Sequence, residues 1–316
     1  MESETSKMKN VHGVARQNIL SQYIKHKGLF LMFVPVLLYY IIFCYIPMGG
    51  IVIAFKDFNL IKGIWGSEWV GFDNFRELFT TPSFYEILRN TLWISLLRLV
   101  FGFPAPILLA ILLNEVSHAR YKKAVQTISY LPHFLSWVIL AGVFQRLLSP
   151  SSGAINAVLA KLNMNSVYFL GDSHWFVPTI IVTGIWQSVG WGTVIYMAAI
   201  SGIDMQLYEA AMLDGAGRLK QILYITLPCL VPVITITLIL NTGGILNAGF
   251  DQIMNLYNES VYDVGDIIDT YVYRRGLEGM QYSYSTAVNL FKNAIGLMFV
   301  LLSNKIAQKM GDHALW

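Results

Sequence analysis

Residues 208–228 read YEAAMLDGAGRLKQILYITLP, between two apolar runs at 176–200 and 229–246. The stretch is too polar to cross a bilayer, where charged side chains are costly, and too regular for a featureless loop. Asp204 is suited to cap a helix over about 205–213. Asp214-Gly215 then ends it, because glycine tolerates the left-handed conformation of a C-cap. A second helix follows, with Leu219, Ile222, Leu223 and Ile225 on one side. Pro228 takes a helix start, where its missing N–H costs least. The spacing therefore predicts helix, tight turn, helix at a membrane surface. Ala210 and Ala211 keep the first helix thin, so that a partner can approach, and Glu209 adds one charge. Two roles fit: a docking knob for another protein, or a helix that packs only on its own bundle.

Composition places the rest of the chain in a membrane. The 316 residues are 55% hydrophobic and 13% charged, about half the charge of an ordinary soluble domain. Mean hydropathy is +0.53. A net charge of +3 is too small to suggest nucleic acid. The 14% aromatic content suits side chains at membrane interfaces. Cys44 and Cys229 both fall inside apolar runs and read as inert membrane cysteines. No metal-ligand spacing, GxxxxGK[ST] phosphate loop, G-x-S-x-G or HExxH occurs. An integral-membrane enzyme is disfavoured, since the spans contain no histidine except His133, near a span start.

Six runs are long enough to span a bilayer, roughly 29–55, 88–113, 124–147, 176–200, 228–250 and 286–306. Pro35, Pro47 and Gly49-Gly50 should kink or shorten the outer end of the first. The first run reads as a retained span rather than a signal peptide. The expected class is an all-α integral membrane protein with six transmembrane helices. Its parts are an N-terminal tail (1–27), a membrane domain (28–306) containing the loop 201–227, and a C-terminal tail (307–316). In the tail, Val14, Ile19, Leu20, Tyr23 and Ile24 suit one side of a short interfacial helix, with disorder the equal alternative. Lys and Arg cluster in the tail, in HARYKK (118–123), and at Arg218, Lys220, Lys305 and Lys309. That side is expected to be cytoplasmic, with both termini inside, although Arg274 and Arg275 lie on the other side against the rule. In the outer loops, Asp73 should cap a short helix in GFDNFRELF (71–79), and Thr81-Pro82 should open a second short helix.

The spacing of the opening stretch decides between its two roles. Glu209-Ala210-Ala211, three residues, Gly215, nine residues, then Ile225-Thr226-Leu227-Pro228 resembles the EAA motif of membrane subunits of ATP-binding-cassette importers. VGFDNFRELF (70–79), NTLWISL (90–96), SYLPHFLSWVILAGVFQRLLSPSSGAIN (129–156) and IYMAAISGIDMQLYEAAMLDGAG (195–217) resemble the carbohydrate, maltose-type branch. YIPMGGIVIAFKDFN (45–59), FGFPAPILLAILLNE (101–115), GFDQIMNLYN (249–258) and DIIDTYVYRRG (266–276) resemble its oligosaccharide and polysaccharide-fragment subgroup, which includes alginate and rhamnogalacturonan permeases. One departure is Asp204, where many members have proline. The resemblance implies a multi-pass permease of a bacterial cytoplasmic membrane. Its cytoplasmic coupling helix, with Tyr208, Glu209, Ala210, Ala211, Asp214, Gly215, Leu227 and Pro228, would engage a separate ATPase. ATP and magnesium belong to that ATPase, and no cofactor is expected on this chain. The other implied partners are a second homologous permease, an extracytoplasmic solute-binding protein, an oligosaccharide and the lipid bilayer.

Polar groups inside spans are usually functional. Arg98, Asn241, Asn247, Asn289 and Lys292 fall in apolar runs, and Trp186, Gln187 and Trp191 lie at similar depth on the fourth. Together they offer hydrogen bonds and flat apolar faces to a sugar. Helix-to-helix bonding by the asparagines is the competing reading, and Gly184, Ser188, Gly190 and Gly192 mark the fourth span as tightly packed. The basic Arg98 and Lys292 suggest a substrate with carboxylates, such as a uronic-acid oligosaccharide. A non-sugar solute remains the alternative.

Overall fold

The computed structural model describes residues 27–310. The reading of the tail before residue 27 lies outside the described residues. The chain divides between Val52 and Ile53 into two compact units. In the first, helix Lys27–Tyr40 passes through Pro35 into a π-turn, Ile41–Tyr45, and then Ile46–Met48. A 3-10 segment, Gly49–Phe55, straddles the division, so the glycine pair tightens the helix rather than ending it.

Among the described residues, five helices are long and apolar enough to cross a membrane: Leu31–Phe55, Pro82–Glu115, Ser173–Ser201, Arg218–Gly243 and Tyr282–Lys309. In chain order they are the first, second, fourth, fifth and sixth spans. The expected third span is a bent pair, Ala119–Phe134 and Trp137–Leu147, at 105°. The break has a local cause. Pro132 tightens the chain into a 3-10 turn, Leu131–Phe134. Leu135 and Ser136 are then extended, and the Ser136 side chain caps the next helix by accepting from Ile139 N. The only strands among the described residues are Lys56–Asp57 and Glu68–Trp69, paired antiparallel.

The boundaries depart from expectation at three places. Asp73 does not cap; it occupies the first turn of Asp73–Thr80, whose N-cap is Phe72. Thr81-Pro82 opens the second span itself rather than a separate short helix, and the Thr81 hydroxyl donates back to Glu77 O (2.8 Å) instead of capping. Pro228 does not begin the fifth span, which starts at Arg218.

Three of the span prolines, Pro47, Pro104 and Pro228, are each preceded by a π-turn. Proline lacks an N–H and its ring crowds the carbonyl four residues back. One extra residue in the preceding turn shifts the register. Ile46 N donates to Ile41 O before Pro47, Phe103 N to Arg98 O before Pro104, and Leu227 N to Ile222 O before Pro228. In the second span this widened turn, Arg98–Gly102, also sets the position of Arg98.

Within the second unit, the second and fourth spans pack along much of their length. Ile107, Ala110 and Ile111 meet Tyr196 and Ile200 at one end, with Leu230 of the fifth span. Ile94 meets Phe176, Val177, Ile180 and Ile181 at the other, under Ile253, Leu256 and Ile267 of the outer segment. The fourth-span glycines are needed for this approach. A Cβ at Gly190 would overlap the Ser129 carbonyl, and one at Gly192 would lie 2.9 Å from Pro106 Cβ. The outer segment is pinned to the second span by Asn90 Nδ2 donating to Asp263 O (2.9 Å) and Ile268 N donating to Thr91 Oγ1 (2.9 Å). Inside it, burial opposes the charge of Arg274, but hydrogen bonding to Asp266 outweighs this and holds its pKa above the ordinary value. Cys44 and Cys229 are both free.

Candidate functional site

Two features combine sequence-predicted residues with distinctive geometry: the loop between the fourth and fifth spans, and a cavity between spans.

The loop helix is Met205–Leu213. Asp204 caps it, its carboxylate accepting from Gln206 N (2.9 Å). At its other end Ala216 N donates to Ala211 O (2.8 Å) and Gly215 N to Met212 O (3.1 Å), the paired bonds of a Schellman turn. Gly215 takes φ +75°, in the left-handed region. The helix is mounted on the fifth span by a bond between the Tyr208 hydroxyl and Thr226 Oγ1 (2.8 Å), with Thr226 1% exposed. Arg218 lies 3.9 Å from Glu115 at the end of the second span. Tyr208, Ala211 and Leu227 are half-buried and face the mount, whereas Glu209, Ala210, Asp214, Gly215 and Pro228 are exposed. Met205, Met212 and Leu213 are exposed as well, Leu213 at 90%. The helix is therefore held firmly on one side and presents an apolar, thin face on the other. Thr226 is an anchor that the motif alone does not reveal; a lone threonine ahead of Leu-Pro in an apolar run is the available signal.

The cavity, about 450 Å³, opens between the second, fourth and fifth spans and the break of the third. Arg98, Trp191, Asn241 and Asn247 line it. Trp191 stacks on His133 (5.0 Å between centroids, 2° between planes). Asn241 Nδ2 donates to Thr237 O (2.8 Å). Asn247 lies past the fifth span, in a 3-10 turn that begins after Gly244 and leads to Ala248 and Gly249, both at positive φ. Serine and threonine hydroxyls from Ser95, Ser188 and Thr237, with Tyr196, complete a wall of polar and flat groups.

The other four candidates do not line this cavity. Trp186 packs edge-on against Phe144. Gln187 Nε2 donates to the His133 carbonyl (3.5 Å). Asn289 accepts from Asn293 on an exposed face. Lys292 is buried and paired with Asp269 at 2.5 Å, so its charge is answered within the chain. Periodicity puts these residues at one depth, but the faces they occupy differ.

Arg98 is the charged residue of the cavity wall. Its Nη2 donates to Gln252 Oε1, and its Nε is buried without a partner. Gln252 is 1% exposed, and its Nε2 donates to Ile180 O and to Thr183 Oγ1, both at 2.8 Å. Those two bonds fix which end of the amide faces the arginine. The guanidinium sits between two glycines: a Cβ at Gly249 would overlap it, and one at Gly184 would lie 3.6 Å from Nη1. Gln252 is not among the sequence candidates, because it falls outside every apolar run.

Comparison with known proteins places the chain in a family. A polygalacturonan/rhamnogalacturonan transport system permease protein, YteP of Bacillus subtilis (strain 168), is 48% identical over 301 residues, spanning 95% of this chain and 94% of that protein. Protein LplB of the same organism is 45% identical over 292 residues, 92% of each chain. The crystal structure of a bacterial ABC transporter involved in the import of the acidic polysaccharide alginate contains a similar chain. It has 42% identity and a TM-score of 0.87, covering 93% of this chain and 99% of that one. Residues 102–303 match the family described as binding-protein-dependent transport system inner membrane component. With the spans, the mounted loop helix and the cavity between spans, this identifies the chain as a member of that family, a multi-pass inner-membrane permease subunit of an ATP-binding-cassette importer and not an enzyme.

Proposed function

We propose that this permease imports an acidic oligosaccharide through the cavity beside Arg98, driven by a separate ATPase that docks on Met205–Leu213. The observation that carries the reading is the cavity itself. Its wall combines Trp191 and His133 as stacking faces, several hydroxyls and amides, and one guanidinium, with no carboxylate among the described residues that line it. Such a lining suits a sugar that bears negative charge. Relatives support the substrate class: one is named for polygalacturonan and rhamnogalacturonan transport and another structure for alginate import. A second, unlike permease completes the pathway, and ATP with magnesium stays on the ATPase. An extracytoplasmic solute-binding protein delivers the sugar; a related transporter is described in complex with an alginate pentasaccharide-bound periplasmic protein.

The transporter reconstituted in liposomes with its ATPase, partner permease and binding protein should take up an oligogalacturonate and show little uptake of a neutral glucan of equal length. Preference for the neutral sugar would overturn the substrate class.

The proposed orientation places both termini and the loop 201–227 in the cytoplasm, from the Lys and Arg distribution. In a background where Cys44 and Cys229 are replaced by serine, a cysteine at Ser151 or Glu259 should react with an impermeant maleimide on intact cells. One at Lys220 should react only after lysis. The opposite pattern reverses the orientation.

A further inference from the structure

Arg98 belongs to two cavities. Beside the first lies a second of about 400 Å³, lined by Trp137, Phe250, Asp251, Gln252 and Asp269. Arg98, Asn247 and Gly249 line both. The guanidinium therefore stands in the partition between them. The partition is close-packed, since no side-chain atom fits at Gly249 beside the guanidinium.

An ionisable group within a span pairs with another such group or with backbone carbonyls, and marks a substrate or ion pathway. Among the described residues no carboxylate lies within ion-pair distance of Arg98, although Asp251 and Asp269 line the second cavity and Asp269 is held by Lys292. Its partner is the neutral amide of Gln252. The bonding is also incomplete in a specific way. Nε and Nη2 form one edge of the guanidinium fork, and that edge is built to take both oxygens of a carboxylate in two parallel hydrogen bonds. Gln252 brings one acceptor oxygen to Nη2, while Nε stays buried and unpartnered. The amide satisfies Nη2 and leaves Nε without an acceptor. Gln252 is held independently by Ile180 and Thr183, so it need not follow if the arginine takes another partner.

We propose that the Nε–Nη2 edge of Arg98 is a carboxylate-binding seat in the partition of the pathway, and that Gln252 is its neutral stand-in when no substrate is present. A uronate carboxylate reaching the partition takes both positions of the edge. Gln252 keeps the charge available, because a resident carboxylate at that position would neutralise the guanidinium permanently. The inference rests on the acidic-oligosaccharide reading and adds the group that selects for charge.

The test uses the complete transporter in liposomes, with trigalacturonate and its fully methyl-esterified form, which keeps the backbone and loses the charge. Wild type should favour the acid. Gln252→Glu supplies a resident carboxylate, and the acid-to-ester uptake ratio should fall roughly tenfold or more, the scale of one lost charge-assisted hydrogen bond. Arg98→Gln should lower the ratio to a similar extent. Arg98→Lys, which keeps the charge but not the fork, should fall between. Glu86→Gln, exposed and outside both cavities, should leave the ratio unchanged. If Gln252→Glu does not assemble, the Arg98→Lys and Arg98→Gln ratios decide. Equal loss of both substrates in the Arg98 variants makes the residue structural and overturns the proposal. An altered ratio in Asp251→Asn with none in Gln252→Glu also overturns it, by making Asp251 the counter-ion. If wild type takes up no acid at all, the functional reading falls; if it does and every ratio is unchanged, only the seat falls.

Discussion

Gly215→Pro should abolish uptake and substrate-stimulated ATP hydrolysis while the permease still inserts and reaches normal levels. Gly215 closes the loop helix at φ +75°, and its N–H donates to Met212 O. Proline is confined to φ near −65° and has no N–H, so the turn that returns the chain from Leu213 to Arg218 cannot form. The spans lie outside the turn and are unaffected. Gly215→Leu is the informative partner. A Cβ there meets nothing within 4 Å, so leucine adds no clash and costs only the left-handed penalty, about 1–2 kcal/mol. Gly215→Asn, a residue that tolerates this region, should be milder still. The expected order of lost stimulation is Pro, then Leu, then Asn. Stimulation at the wild-type level in Gly215→Pro, with the ATPase still bound, would show that the exposed face of Met205–Leu213 is ordinary surface.

Lys292→Met should destabilise the permease, by up to about 3 kcal/mol, because it leaves a partly buried carboxylate unpaired. Asp269 is 19% exposed and Lys292 9% exposed by side chain, and they join the sixth span to the outer helix Ile268–Tyr273. A thermal-unfolding scan in detergent should show a clear fall in midpoint for Lys292→Met and for Asp269→Leu alone. The double variant should recover much of it, since an apolar pair of similar size replaces a buried ion pair at little cost. Single variants that melt with wild type would mean the pair is wet and weak. The same result bears on function. A lysine held by its own aspartate offers no free charge to a substrate, which leaves Arg98 as the cation of the proposed pathway.

The elements most legible in the sequence are those whose causes are local. Asp204 caps and Gly215 turns because each interacts with residues a few positions away. The Lys/Arg pattern and the apolar runs are likewise read along the chain. Even the break at Pro132 and Ser136 is local; it hides in the sequence because overall apolarity from 124 to 147 outweighs a proline and a capping serine. The three proline-linked π-turns are a milder case, since proline marks a disturbance but not how the helix absorbs it.

By itself the sequence determined the membrane class, the approximate course of five spans and the capped helix and glycine turn at 204–215, because hydropathy, capping and turn conformation act over a few residues. Only the tertiary structure decided which polar groups share a wall. Eight residues read as one belt along the pathway, yet Lys292 went to Asp269, Gln187 to the His133 carbonyl and Trp186 to Phe144. Arg98 found Gln252, which is distant in sequence and outside any span. The reason is physical. A buried polar group takes whichever partner the packing of helices brings within hydrogen-bond distance, and a partial rotation about a helix axis, about 100° for one residue's step, changes that partner without altering the residue's depth or its neighbours in sequence.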